Sequence, residues 1–384
     1  MKGVRYIMIL SVLMATACVY TYEASVPENV KAVLVVEGDI IVNGVTHIRL
    51  SQTTPLQESR LSVVSGARVY IEGEQGGRYP LPEIASGQYE AETSHLDPQQ
   101  RYRLHLSLEN QKQYASSYVP VVVSPPIDSV GYTLYNDATA LAIHVSTHDA
   151  LAQTNYYRWS YVETWEITSP LLSNVKYDTG TMTYSIREYE ENLHHCWANQ
   201  KSAGILLGNT TRLAADVINK QVLLHIPERD MRVGNLYCIQ ITQMALTKEA
   251  YLYWENLRKN SEDIGGLFSP QPSEVQGNIF CLDQPDEPVI GYIAAGTQAL
   301  SERKYIPSGL MKGVIWPVCT CEEDIGSLSI TDYVSPLRYI RNGWMPMWYN
   351  DTMSAVYWHL PGCGDCRTWG GTKERPAWWP NNHI

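Results

Sequence analysis

The stretch AVLVVEGDIIVNGVTHIRL, residues 32–50, decides the fold. Residues 32–36 and 40–42 are aliphatic and β-branched runs, Asn43-Gly44 interrupts them, and residues 45–50 resume the pattern. Asn-Gly between two such runs predicts an antiparallel hairpin, because both turn positions favour positive φ. Working outward, residues 67–71, 78–81 and 88–91 read as further strands separated by Gly-Gly and Ser-Gly turns. Tyr102, Leu104, Leu106 and Leu108 alternate with Arg103, His105 and Ser107, the pattern of a strand with one buried and one wet face. Short strands with frequent turn signals predict a β-sandwich over residues 31–124.

Pro125-Pro126 marks a boundary, since tandem prolines stiffen a connection and cannot continue a ladder. The β pattern then resumes at 129–134, 140–145, 156–167, 204–207, 222–226 and 236–244, which predicts a second sandwich over residues 125–306. One helix interrupts it at 247–262. Thr247 suits the N-cap, Glu249 the first turn, and Ala250, Trp254 and Leu257 recur on one face. Residues 277–280 and 289–294 read as strands returning to this second sandwich, joined by an acidic turn at 283–287. Residues 307–384 lack long periodic runs and form a Cys- and Trp-rich extension. The fold class is all-β: two tandem sandwiches of transthyretin, fibronectin or immunoglobulin type, one inserted helix and the extension.

The chain of 384 residues carries 29 Lys+Arg against 40 Asp+Glu, a formal charge of −11, which argues against nucleic acid as a partner. Tyr (26) and Trp (11) are abundant and Phe (2) is nearly absent, a composition suited to sheets and wet surfaces. At the N-terminus, Lys2 and Arg5 precede an uncharged, mostly apolar run over 6–17, too short to span a membrane and of the length of a signal peptide. It ends Ala15-Thr16-Ala17-Cys18. Small residues before a Cys resemble a lipobox, so residues 1–17 are expected to be removed. Cys18 would then carry a diacylglyceryl group and fatty acyl (palmitate-type) chains, with 18–30 as a tether. Apart from that covalent lipid no cofactor is expected.

Seven other cysteines follow: Cys196, Cys238, Cys281, Cys319, Cys321, Cys363 and Cys366. Beyond the inner membrane thiols meet an oxidising compartment, so disulfides are favoured, and an odd count leaves at least one thiol unpaired. Cys238, within a strand-like run, is the candidate for a buried free thiol. The C-x-C at Cys319 and Cys321 and the C-x2-C at Cys363 and Cys366 are the candidate bridge-formers; zinc held by the same four is the less favoured alternative. Motifs of serine hydrolases, zincins, P-loop and dinucleotide-binding proteins are absent, so no catalytic residue is nominated. His194-His195 beside Cys196 could suggest a metal, but adjacent residues on a strand point to opposite faces and do not easily share one ion, so a solvated turn is the favoured reading. Asp283, Asp286 and Glu287 read more simply as a loop than as a calcium site. Seven of the eleven Trp lie in the last 69 residues. Most are expected to pack the extension onto the second sandwich. Trp344 and Trp348, flanking Met345-Pro346-Met347 on an expected turn, are the candidate ligand or partner contacts.

A spaced set of residues carries a resemblance. It comprises Leu34-Val35-Val36-Glu37-Gly38, Cys196-Trp197, Thr247-Lys248-Glu249-Ala250-Tyr251 with Tyr253-Trp254, and Pro270-Gln271-Pro272. It continues with Gly277-Asn278-Ile279, Glu287-Pro288-Val289-Ile290-Gly291-Tyr292, Cys363-Gly364-Asp365-Cys366-Arg367 and Gly370-Gly371-Thr372. The set resembles a domain-of-unknown-function family of Bacteroidetes outer-membrane lipoproteins, DUF4249, over nearly the whole mature chain. The resemblance implies a non-catalytic, lipid-anchored outer-membrane protein, on the periplasmic or the cell-surface face. Its expected role is accessory to a TonB-dependent transporter, docking on the receptor barrel or binding its ligand. The alternative is a structural or adhesive cell-surface module.

Overall fold

A computed structural model describes residues 32–54, 62–262, 275–314 and 326–381. Cys18, Cys319, Cys321 and Trp316 lie outside these residues. The opening stretch folds as the hairpin expected of it, with strand Leu34–Ile41 antiparallel to strand Val45–Gln52. Its turn differs from expectation, because neither Asn43 nor Gly44 takes a positive φ. The Asn43 side chain instead serves as a clamp: its Nδ2 donates to the Gln298 carbonyl and its Oδ1 accepts the Gln298 N–H, both at 3.0 Å.

Alternation along the strands fills one core with Ile40, Ile48, Leu50, Ile71, Tyr89, Tyr102, Leu104 and Leu106. Burying each such aliphatic side chain contributes about 1.5–3 kcal/mol. The tyrosines replace phenylalanine without leaving a hydroxyl stranded. Tyr89 accepts the Ala67 N–H at 3.0 Å, and Tyr102 donates to the Asp97 carbonyl at 2.9 Å. His105, expected on the wet face of strand Arg101–Ser107, is buried; its ring stacks on Tyr70 of the neighbouring strand Arg68–Gly73 at 4.6 Å.

The second module is a sandwich of two sheets. One holds strands Ile127–Tyr135, Ala140–His148 and Val217–Ile226; the other is centred on the antiparallel pair Tyr156–Thr168 and Tyr237–Leu246. Leu141, Ile143, Val145, Tyr157, Trp159, Ile239 and Ile241 meet between them.

The domain division read from the sequence changes at residues 279–296. These strands were expected to return to the second sandwich, but they complete the first. Ile279–Cys281 pairs with Gln113–Ser116, and Val289–Ile290 lies parallel to Leu34–Ile41. Ala295–Gly296 is inserted between Leu34–Ile41 and Val119–Val122, parallel to both. The physical reason is edge closure. Without this segment the facing strands would leave their backbone N–H and C=O groups unpaired. At Gly291 (φ +144°) a Cβ would stand 2.2 Å from the Val36 carbonyl oxygen, so only glycine lets the returning chain lie so close. The chain then crosses back, and Gln298–Leu300 and Lys304–Ile306 pair with Tyr237–Leu246.

The helix Lys248–Glu262 sits at this junction. Thr247 caps it, its Oγ1 accepting the Ala250 N–H at 3.2 Å. Ala250 and Tyr251 pack against Ile41 and Ala294 of the first module and Leu207, Met244 and Leu246 of the second. Arg158 of the second module pairs with Asp39 of the first and lies 4.5 Å from the Trp254 ring centre. Buried Gln243 donates to the Pro125 carbonyl at 2.8 Å and accepts the Trp159 indole N–H at 2.8 Å. The two modules are therefore joined by three chain crossings and a shared core.

Candidate functional site

Where strand Tyr156–Thr168 ends, the chain leaves the second sandwich and re-enters it as strand His195–Lys201. The excursion carries a hairpin, Val175–Asp178 with Thr183–Ile186. It packs on a three-stranded sheet of the C-terminal extension, Gly326–Ser329, Ala355–His359 and Met345–Tyr349. A third small module results, built from an insertion and a tail that sequence reading treats as separate regions. Its core is Val175, Val356 and Trp358, ringed by Tyr177, Tyr184, Tyr339, Trp344 and Tyr349. Tyr339 and Tyr184 stand edge-on to Trp358, with centroids 5.6 and 6.2 Å away. Such pairs add about 0.5–1.5 kcal/mol beyond burial.

One covalent bond holds this module to the second sandwich. Cys366 bonds Cys196 across a sequence separation of 170, with Cα atoms 5.6 Å apart. Cys363 is also disulfide-bonded, so the C-x2-C residues do not pair with each other. A sulfur in a disulfide offers no thiolate, so the bonded Cys363 and Cys366 do not supply half of a zinc tetrahedron. The His359 Nδ1 accepts the Leu360 N–H at 2.8 Å, which places the ring proton on Nε2, 3.8 Å from the Cys363 sulfur. Burial disfavours the Asp365 carboxylate, but the Arg367 side chain and N–H outweigh it and hold the carboxyl below its ordinary range. Cys238 and Cys281 are buried and free. Burial pushes the Cys238 thiol up to about 12.

The tryptophans divide by role. Trp358 is fully buried. Trp379 is buried against Leu236 and Cys238, and its Nε1 donates to Glu166 Oε1 at 2.7 Å, pinning the tail to the second sandwich. Trp344 and Trp348 are half-buried, and each has a ring partner: Tyr339 at 5.2 Å and Tyr357 at 5.6 Å. Met345, Pro346 and Met347 lie in a strand, not on an exposed turn, and are buried with Leu193. Pro346 is tolerated because that strand pairs on one side only and carries a register shift beside it. The more exposed indoles are Trp369 and Trp378, at 37% and 38%.

Other polar clusters are bound up internally. Glu163, buried in the second sandwich, accepts from Arg232 Nη1 at 2.6 Å and the Tyr237 hydroxyl at 2.7 Å. Burial holds its carboxyl above the usual range, though Tyr237 and Arg232 pull it down. Asp216 accepts from Tyr157 at 2.8 Å and Thr210 at 2.6 Å. Glu287 accepts from the Lys112 ammonium at 2.5 Å and the Tyr114 hydroxyl at 2.7 Å, and Asp283 accepts the Gln113 N–H at 2.8 Å. The acidic turn is thereby fastened to strand Gln113–Ser116. His194 contacts Ser169, with Nδ1 3.0 Å from its Oγ.

Residues singled out in the sequence thus recur at joints. Cys196 holds the disulfide. Asn278 donates to and accepts from the Ile293 backbone at 2.9 and 2.8 Å, Gly291 admits the returning strand, and Trp254 covers Arg158. The family described as Domain of unknown function (DUF4249) matches residues 19–302. The chain belongs to this family. No curated protein matches it. The match ends before the strands and helix that this DUF4249 chain contributes to its third module from residue 326 onward. Sequence reading missed that the insertion at 169–194 and the tail build one module. The available signal was the aromatic hairpin Tyr177/Tyr184, set between turn residues inside an otherwise regular sandwich.

Proposed function

We propose that this protein is a non-catalytic lipoprotein of the outer membrane, held by acyl chains on Cys18, that acts as an accessory to a TonB-dependent transporter by docking on its barrel or holding its ligand. The observation that carries the reading is the third module, a disulfide-tied, aromatic-filled platform borne on two interlocked sandwiches. Large apolar side chains stand exposed on it, among them Ile186, Tyr189, Tyr333, Val334 and Met353. Solvent-facing apolar surface on a rigid frame is the usual material of a contact site. A non-catalytic role is supported by the carboxylates just described, which spend their oxygens on neighbouring donors. The lipobox-like Ala15-Thr16-Ala17-Cys18 supports the anchor.

The test is purification from native membranes in mild detergent at natural expression level. A barrel receptor recovered in stoichiometric amount supports the proposal, and a monomer with no companion contradicts it. A deletion strain that loses attachment while keeping nutrient uptake would instead support the structural or adhesive reading.

A further inference from the structure

One segment of the third module holds apolar side chains outward on a fixed backbone. Asp332 Oδ1 accepts the N–H of Val334 at 3.0 Å and of Ser335 at 2.9 Å. That turn leaves Tyr333 55% and Val334 78% exposed. The helix Ser335–Arg341 follows and is anchored from beneath. Pro336 is buried, and Tyr339 packs on Trp344 and Trp358 at 5.2 and 5.6 Å. With that face occupied, Arg338, Ile340 and Arg341 are left on the solvent side. Val334, Arg338 and Arg341 are spaced i, i+4, i+7, so the guanidinium groups stand in a row beside the apolar side chains. Among the described residues neither arginine joins a salt bridge. Asp332, the neighbouring acid, is occupied with the turn's N–H groups.

Two exposed arginines, in no salt bridge among the described residues, beside Tyr, Val and Ile on one helix face match an anionic bilayer surface. Arginine meets phosphate, tyrosine suits the headgroup level, and the aliphatic residues enter the acyl boundary. Charge selects this occupant. A chain of net charge −11 is repelled as a whole by anionic lipid, so contact needs a local cationic face. We infer that residues 333–341 form a membrane-contacting surface that docks on anionic lipid headgroups and sets how the chain lies against its bilayer. The inference deepens the proposed membrane residence but does not need the acyl chains.

The experiment is co-sedimentation of the mature chain carrying Cys18→Ser, which cannot be acylated, with vesicles of phosphatidylglycerol and phosphatidylethanolamine or of phosphatidylcholine alone. Binding is expected to the anionic vesicles, to weaken with added salt, and to be far weaker on phosphatidylcholine. Arg338→Gln and Arg341→Gln should each lower partitioning about five-fold. Val334→Ser should lower it at every salt concentration. Thermal melting should be unchanged in all three variants, since the altered side chains are exposed. Failure to bind anionic vesicles, or equal binding by the arginine variants, overturns the inference. So does loss of a soluble protein partner in these variants with vesicle binding intact. Vesicle binding by a chain whose native form proves unacylated would sustain this surface while removing the anchor.

Discussion

Glu163 shows what individual residues contribute here. Its carboxylate, buried in the second sandwich, accepts from both the Tyr237 hydroxyl and Arg232 Nη1. Glu163→Ala should therefore destabilise by about 1–3 kcal/mol, read as a lowered urea midpoint, because the buried Tyr237 hydroxyl loses its acceptor and Arg232 keeps only Asp230 among the described residues. Glu163→Gln, which keeps an acceptor, should cost less. His105 and His144 set the pH response. Burial lowers both, helped at His144 by Lys220, and at His105 opposed by Glu72 and helped by Arg103. Each takes a proton less readily when folded than when unfolded. Their contribution is complete above the unfolded value of about 6.5 and is lost as pH falls below it toward the folded values. His148, raised by Asp128, runs the other way but is exposed. Urea midpoints should fall between pH 7.5 and 5.5, and His105→Phe should shrink that fall; an unchanged slope would contradict the assignment. The stacking that buries His105 was not readable in an alternating strand, because it depends on which residue the next strand sets opposite.

At the scale of elements, strands were legible and their partners were not. The hairpin at residues 32–50, the helix and the boundary at Pro125-Pro126 follow from local propensity and turn chemistry. The destination of residues 279–296 does not, since pairing is decided by which edge lacks a partner. The first sandwich is consequently incomplete in sequence order. A fragment of residues 31–124 should not fold, by circular dichroism and amide exchange, whereas the same fragment linked to residues 277–297 should. A cooperative melt of the short fragment alone would refute the shared construction. The disulfide is the second non-local element. Cys366→Ser should cost about 2–5 kcal/mol in chemical denaturation, and Cys196→Ser the same amount without addition in the double variant. A change below about 1 kcal/mol would mean that aromatic packing alone holds the third module.

For the molecule as a whole, three chain crossings and the junction helix tie the sandwiches together, while a disulfide, the Trp379 indole and a tyrosine-rich hairpin add a third module at one end. The aromatic candidates named from sequence, Trp344 and Trp348, proved to be part of that module's packing. The more exposed surface lies at Tyr333 and Val334, where a polar turn presents them. Single residue types could not reveal this, because exposure of a Trp or a Val is set by the neighbours it finds. What the sequence carried clearly was the all-β class and the family, each written in local runs or in a spaced set of residues. The functional account rests on the proposed lipid anchor at Cys18, which lies outside the described residues. Mass spectrometry of the N-terminal peptide from protein purified out of native membranes tests it most directly. The expected result is a peptide beginning at Cys18 with a diacylglyceryl group and acyl chains on it. An unmodified thiol at Cys18, or a chain that still begins at Met1, would contradict the account.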